Sequence, residues 1–95
     1  TNNIVLLKGH NSLIGYANKY YVNKTGNPGM ATAGAGDVLT GMIAAFISLK
    51  ISRFDAVCLS ANLHGKAGDM AYKKNNIGLI ASDIIACIPE AIKNN

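Results

Sequence analysis

Cysteine is scarce: Cys58 and Cys87 are the two in 95 residues, and each sits inside an apolar helical pattern far from the other. No His or Cys stands at metal-ligand spacing from them, so no metal site is expected and both read as buried free thiols in a reducing, cytoplasmic setting. The chain has no apolar run of the roughly 18 residues that cross a bilayer and no basic-then-apolar leader, which predicts a soluble protein without a membrane partner. Charge is also thin, at 15% of residues, and the net +4 comes from nine Lys and Arg scattered singly apart from Lys73-Lys74. Without a basic stripe or interleaved aromatics, nucleic acid is not an expected partner, whereas a phosphorylated ligand suits the balance. There is no internal repeat and no initiating Met. Because Thr1 leads into an apolar run by Ile4, residues 1–95 are expected to form one partial domain of a longer protein.

What is present is a 49% hydrophobic content, enough for one modest core. Ile4-Val5-Leu6-Leu7 is unbroken apolar sequence, as in a strand buried on both faces of a parallel sheet. Two β-prone segments, Leu13–Ala17 and Tyr20–Asn23, flank Asn18-Lys19, which fits a hairpin with Tyr16, Tyr20 and Tyr21 in cross-strand packing. Apolar residues at helical spacing predict helices from about Asp37 to Leu49, from about Arg53 to Lys73 with Ser52 as N-cap, and from about Asp83 to Lys93 capped by Ser82. Pro89 predicts a break or kink in the last. Gly41 implies close packing of the first helix onto the sheet, and Gly65, Ala67 and Gly68 imply close approach of another backbone or a ligand. His64 beside them reads as a satisfied, half-buried histidine, and Asp69 as a surface residue.

Half of the ten glycines fall between Gly26 and Gly41, in one loop and the helix it opens. Glycine at that density costs backbone entropy, so it needs a reason. Without Cβ atoms in the way, the amides of Gly34, Ala35 and Gly36 can turn toward one point at the start of the helix, an anion site by both free donors and dipole. Asp37 follows directly. It reads either as a helix cap or as a carboxylate held beside a bound phosphate to act as general base. A cap alone does not account for the Gly-x-Gly before it or for the Gly26-Asn27-Pro28-Gly29 turn upstream, so the flanks favour the base. Lys8, leaving the end of the first strand, stands where ligands collect in open α/β sheets.

Taken in order, Lys8-Gly9 after a strand, Gly26 to Leu39 at a helix start, His64-Gly65-Lys66-Ala67-Gly68-Asp69 and Ala81-Ser82-Asp83 resemble the C-terminal part of the ADP-dependent NAD(P)H-hydrate dehydratases, of the YjeF C-terminal type in the ribokinase-like superfamily. Asn27 to Leu39 is the most specific piece. The resemblance implies an α/β fold, the C-terminal portion of a ribokinase-like sandwich, with strands and a hairpin followed by three helices. It implies an enzyme that dehydrates hydrated NADH or NADPH with ADP as phosphoryl donor, releasing AMP and phosphate. Lys8, Gly9, His10, Asn11, Ser12 and Gly36 would bind the nucleotide, and the amides from Ala33 through Gly34 and Ala35 to Gly36 would form an anion hole. Asp37 would be both substrate contact and base. Mg²⁺ would accompany the nucleotide through phosphates and water, and the full-length enzyme would assemble from identical subunits. Ser12 stands where the family often has Thr, and Ala35 where it often has Ser or Thr. The isolated 95 residues are expected to be inactive. Two other readings stay open at this stage: a ribokinase-like kinase of a sugar or hydroxymethylpyrimidine, and a non-catalytic nucleotide-binding module.

Overall fold

Alternating burial splits the first strand, β1 (Ile4–Leu7), into an inner face of Ile4 and Leu6 and an outer face of Val5 and Leu7. The computed structural model describes residues 3–7, 12–75 and 79–94. In it β1 pairs antiparallel with β2 (Ser12–Tyr16), and β2 antiparallel with β3 (Lys19–Asn23), in the order β1-β2-β3. The doubly buried parallel strand expected for Ile4–Leu7 is therefore corrected. The run is apolar throughout, yet among the described residues helices cover only the inner face, where Leu6, Ile14 and Tyr21 lie in register. On the outer face Val5, Leu7, Leu13, Tyr20 and Val22 remain exposed.

The hairpin turns at Ala17-Asn18, one residue earlier than expected. Ala17 takes a φ of 55°, the positive value that two-residue hairpin loops need at their first central position. Of the three tyrosines expected to pack across strands, Tyr16 instead meets a helix, its ring centroid 6.3 Å from that of Phe54, and Tyr20 is exposed.

Three helices follow, α1 (Ala35–Ile47), α2 (Arg53–Asn75) and α3 (Ala81–Lys93). α2 starts at Arg53 as expected, whereas α1 and α3 each begin two residues earlier than the sequence reading has them. Ser52 caps α2 as expected, its Oγ accepting from the Asp55 amide at 3.1 Å. The N-cap of α3 is Ile80, not Ser82; the Ile80 amide donates to Asp83 Oδ2 at 2.9 Å, so the acid three residues on supplies the capping group. Pro89 lies inside α3 without ending it, on the exposed side where water can reach the carbonyl it leaves undonated.

The centre of the fold is α2. One side packs Val57 and Ala61 against Ile14 of the sheet, with Phe54 and Cys58 at the margin. The other packs Leu63, Ala67 and Ala71 against Ala35 and Met42 of α1 and Ile84, Cys87 and Ala91 of α3. A helix sheathed on several sides needs short side chains, which is why Ala56, Ala67 and Ala71 are wholly inaccessible. Ala67 thus serves the core. Gly41 faces open space, with nothing within 4 Å of where its Cβ would be, so its expected close packing on the sheet is not found among the described residues. Both cysteines are free thiols; Cys87 is buried and Cys58 half-buried.

Candidate functional site

Between β3 and α1 the chain runs as a strap, residues 24–34, stitched along one face of α2. Asn23, 5% exposed, donates from Nδ2 to the Ala61 carbonyl at 3.0 Å, and its Oδ1 accepts from the Thr25 hydroxyl at 2.8 Å and the Thr25 amide at 3.3 Å. The same hydroxyl lies 3.1 Å from the Asn62 carbonyl. Asp69 then takes both of the next donors: the Gly26 amide reaches Oδ2 at 3.1 Å and Asn27 Nδ2 reaches Oδ1 at 2.8 Å. Asp69 is therefore not the surface residue the sequence suggested. Positions 61, 62, 65, 68 and 69 share a helical face, and the strap follows it.

Two glycines make room for the strap. A Cβ on Gly65 would stand 2.6 Å from Thr25 Cβ and 2.8 Å from the Thr25 carbonyl carbon, and one on Gly68 would run into the side chain of Met30. The strap tightens into a 3-10 turn at Pro28–Met30, and the Thr32 amide donates to the Met30 carbonyl at 2.8 Å. The carbonyl oxygen of Asn27's side chain is buried and has no partner among the described residues.

The N-cap of α1 is Gly34 at φ 87°, a left-handed conformation that a Cβ would strain, so the helix starts without a side-chain cap. Asp37 is consequently no cap; it is the third residue of α1, it is exposed, and its carboxylate makes no hydrogen bond among the described residues. The amides of Gly34 and Gly36 likewise have no acceptor among the described residues, whereas that of Ala35 is spent on the Thr32 carbonyl at 3.2 Å. His64, half-buried on α2, reaches the Ala35 carbonyl from Nε2 at 3.0 Å. A carbonyl can only accept, so that nitrogen carries the proton and ties the first turn of α1 to α2.

These elements enclose a cavity of about 810 Å³. The strap lines it with Gly26, Asn27, Pro28, Met30, Ala31 and Thr32, α1 with Ala35, Gly36 and Leu39, α2 with Ala61, His64 and Gly65, and the sheet with Leu6, Ser12 and Asn23. Of the residues singled out from sequence, Ser12, Ala35 and Gly36 meet at this cavity. Gly34 and Asp37 flank the lining residues in the chain without being among them, and Ala33 is exposed on the strap. Lys8, Gly9, His10 and Asn11 lie outside the described residues. No group of three or more His, Cys, Asp or Glu among the described residues could hold a metal ion.

Sequence reasoning missed Asn23, Thr25 and Asp69. For Asp69 a signal existed: it follows Gly65 by four residues and Gly68 by one, so an acid shared a helical face with two side-chain-free positions.

A sheet with a helix layer against it and a glycine-rich strap into a helix start make an α/β architecture, and a ribokinase-like superfamily protein of Enterococcus faecalis superposes on it with a TM-score of 0.77 at 32% identity, covering 97% of this chain and 32% of that one. In comparisons with known proteins, a family model described as NAD(P)H-hydrate dehydratase matches residues 1–90, and the chain belongs to that family. It is 42% identical over 93 residues to the bifunctional NAD(P)H-hydrate repair enzyme Nnr of Moorella thermoacetica, covering 96% of this chain and 18% of that protein. It is 43% identical over 83 residues to the ADP-dependent (S)-NAD(P)H-hydrate dehydratase of Neisseria meningitidis serogroup B, covering 84% of this chain and 28% of the relative. Among solved structures, the ADP/ATP-dependent NAD(P)H-hydrate dehydratase of Bacillus subtilis, co-crystallised with ATP and Mg²⁺, superposes with a TM-score of 0.87 at 28% identity. That match covers 96% of this chain and 34% of the Bacillus chain, so the present residues correspond to about a third of it.

Proposed function

We propose that the protein carrying this chain dehydrates hydrated NADH or NADPH at the expense of ADP. The observation that carries the reading is the first turn of α1, where Gly36, its amide without an acceptor among the described residues, lines a cavity of about 810 Å³ and the unengaged carboxylate of Asp37 comes one residue later. Lys8 to Ser12 and Gly36 would hold the nucleotide, and amides from Ala33 to Gly36 would stabilise charge on the group being transferred; with the Ala35 amide occupied, those of Ala33, Gly34 and Gly36 are the donors left to do so.

Asp37 would take the proton from the hydroxyl of the hydrate as its oxygen attacks the β-phosphorus of ADP. The bond to the bridging oxygen breaks and AMP leaves. Loss of phosphate from the ester, with a ring proton, then restores the nicotinamide double bond, because phosphate is a far better leaving group than hydroxide. Mg²⁺, when bound, would neutralise phosphate charge and would be held through phosphates and water. The same proposal includes a cytoplasmic protein of identical subunits, acting on small molecules and not on nucleic acid.

Asp37→Asn in the full-length protein tests it. The variant should lose at least about a hundredfold in kcat with ADP affinity retained, since general base catalysis contributes about 10²–10⁴. Unchanged turnover would remove Asp37 from the mechanism.

A further inference from the structure

We infer that Asp69 is a positioning residue for the cavity, an inference resting on the dehydratase reading above. Asp69 does not line the cavity. Each of its carboxylate oxygens instead accepts one donor from the strap, Oδ2 from the Gly26 amide at 3.1 Å and Oδ1 from Asn27 Nδ2 at 2.8 Å. Both donors belong to cavity-lining residues, and Pro28, Met30 and Thr32 extend the same wall toward the first turn of α1. Only an ionised acid offers an acceptor on both arms; an amide of the same shape would turn NH₂ toward one of the two donors.

Gly26 has a φ of 104°, a conformation that needs an external hold to persist at one geometry. Bonds to a carboxylate are stronger than neutral ones and supply that hold. Gly65 and Gly68 bring the helix close enough for Asp69 to reach the strap. The cavity wall is thereby set before a ligand arrives, and binding need not order it.

The test uses the full-length protein and two readouts: amide hydrogen exchange over residues 24–34, and kcat/KM with ADP and hydrated NADH per folded molecule. Asp69→Asn should speed exchange at Gly26 about tenfold and lower kcat/KM about tenfold, the loss of one charge-assisted bond worth about 1.4 kcal/mol. The paired exchange Asn27→Asp with Asp69→Asn keeps an acceptor for Gly26 and reverses the second bond, so slow exchange should return. Unchanged exchange in Asp69→Asn overturns the inference. So does faster exchange with kcat/KM per folded molecule unaltered, the pattern of a purely structural contact. A wild-type protein without ADP-driven turnover sinks the dehydratase reading alone, and the exchange measurements, with and without the paired variant, still decide whether Asp69 holds the strap.

Discussion

Replacing Gly65 by Ala would put a methyl group where Thr25 already stands. The new Cβ would be 2.6 Å from Thr25 Cβ and 2.8 Å from its carbonyl carbon, against the roughly 3.5–4.0 Å of ordinary carbon contact, so a gap of about 1 Å has to open. The Thr25 hydroxyl oxygen lies closer still, and of the three close atoms the carbonyl carbon is backbone and cannot rotate aside. Backing the strap away loosens the Thr25 contacts with Asn23 and Asn62 and the Gly26 bond to Asp69. Overpacking costs about 1–3 kcal/mol, and one or two weakened bonds add about 1 kcal/mol each. Better helix propensity returns about 1 kcal/mol, leaving a net loss of about 1–4 kcal/mol against the 5–15 typical of a domain. Gly68→Ala is the control: the atoms it would meet belong to the flexible side chain of Met30, which can swing away, so the net change should be about 1 kcal/mol or less. Urea unfolding of both variants decides it. If Gly65→Ala proves no less stable than Gly68→Ala, the strap does not rest on α2 as described.

Pro89→Ala should stabilise the fold by up to about 3 kcal/mol, because α3 continues through a residue that lacks a helical donor; thermal or urea unfolding no better than the parent's would contradict that strain. At Cys58, burial first and the nearby Asp55 carboxylate second push the thiol pKa up, so the folded protein holds less thiolate than an unfolded chain at neutral pH. Iodoacetamide should therefore modify Cys58 more slowly in the folded protein, faster as pH rises, and faster again in Asp55→Asn; equal rates in folded and unfolded protein would refute the assignment.

How far the sequence could be read depended on whether a signal was local. Helical periodicity placed α1, α2 and α3 within a few residues, and Ser52 marked the start of α2 through its own side chain. α1 begins two residues before the Asp37 expected, because the residue that turns the chain is Gly34, whose part depends on a positive φ and not on any donor or acceptor of its own. At α3 the error was similar: Ser82 looks like a cap, but Asp83 reaches back to Ile80 and fills that role from three positions on. For the site, the glycine-rich stretch was legible as backbone designed to come close to something. What held it was not, since the pairs Asn23 with Ala61 and Gly26 with Asp69 join residues 38 and 43 positions apart, and no local pattern encodes such a meeting.

The misreading of β1 leads to a different kind of test. Four apolar residues in a row indicate burial on both faces, yet here Val5 is 49% and Leu7 58% exposed, on a face that also carries Leu13, Val22 and Tyr20 and, among the described residues of the three strands, no charged one. Contiguous apolar surface of this kind is uncommon on a monomer, and covering it would contribute about 25 cal/mol for each Å² removed from water. Since the chain corresponds to 34% of the Bacillus enzyme, the sequence pattern and the one-sided burial agree if the remainder of the full-length protein lies against this face. The 95 residues expressed alone should then enhance anilinonaphthalene sulfonate fluorescence strongly. Leu13→Thr with Val22→Thr should weaken that signal without disturbing the strap bonds on the opposite side of the sheet, and the full-length protein should give little of it. Equal dye binding by the short and full-length chains would mean that the outer face stays open, and that the apolar run in β1 is not a record of double burial.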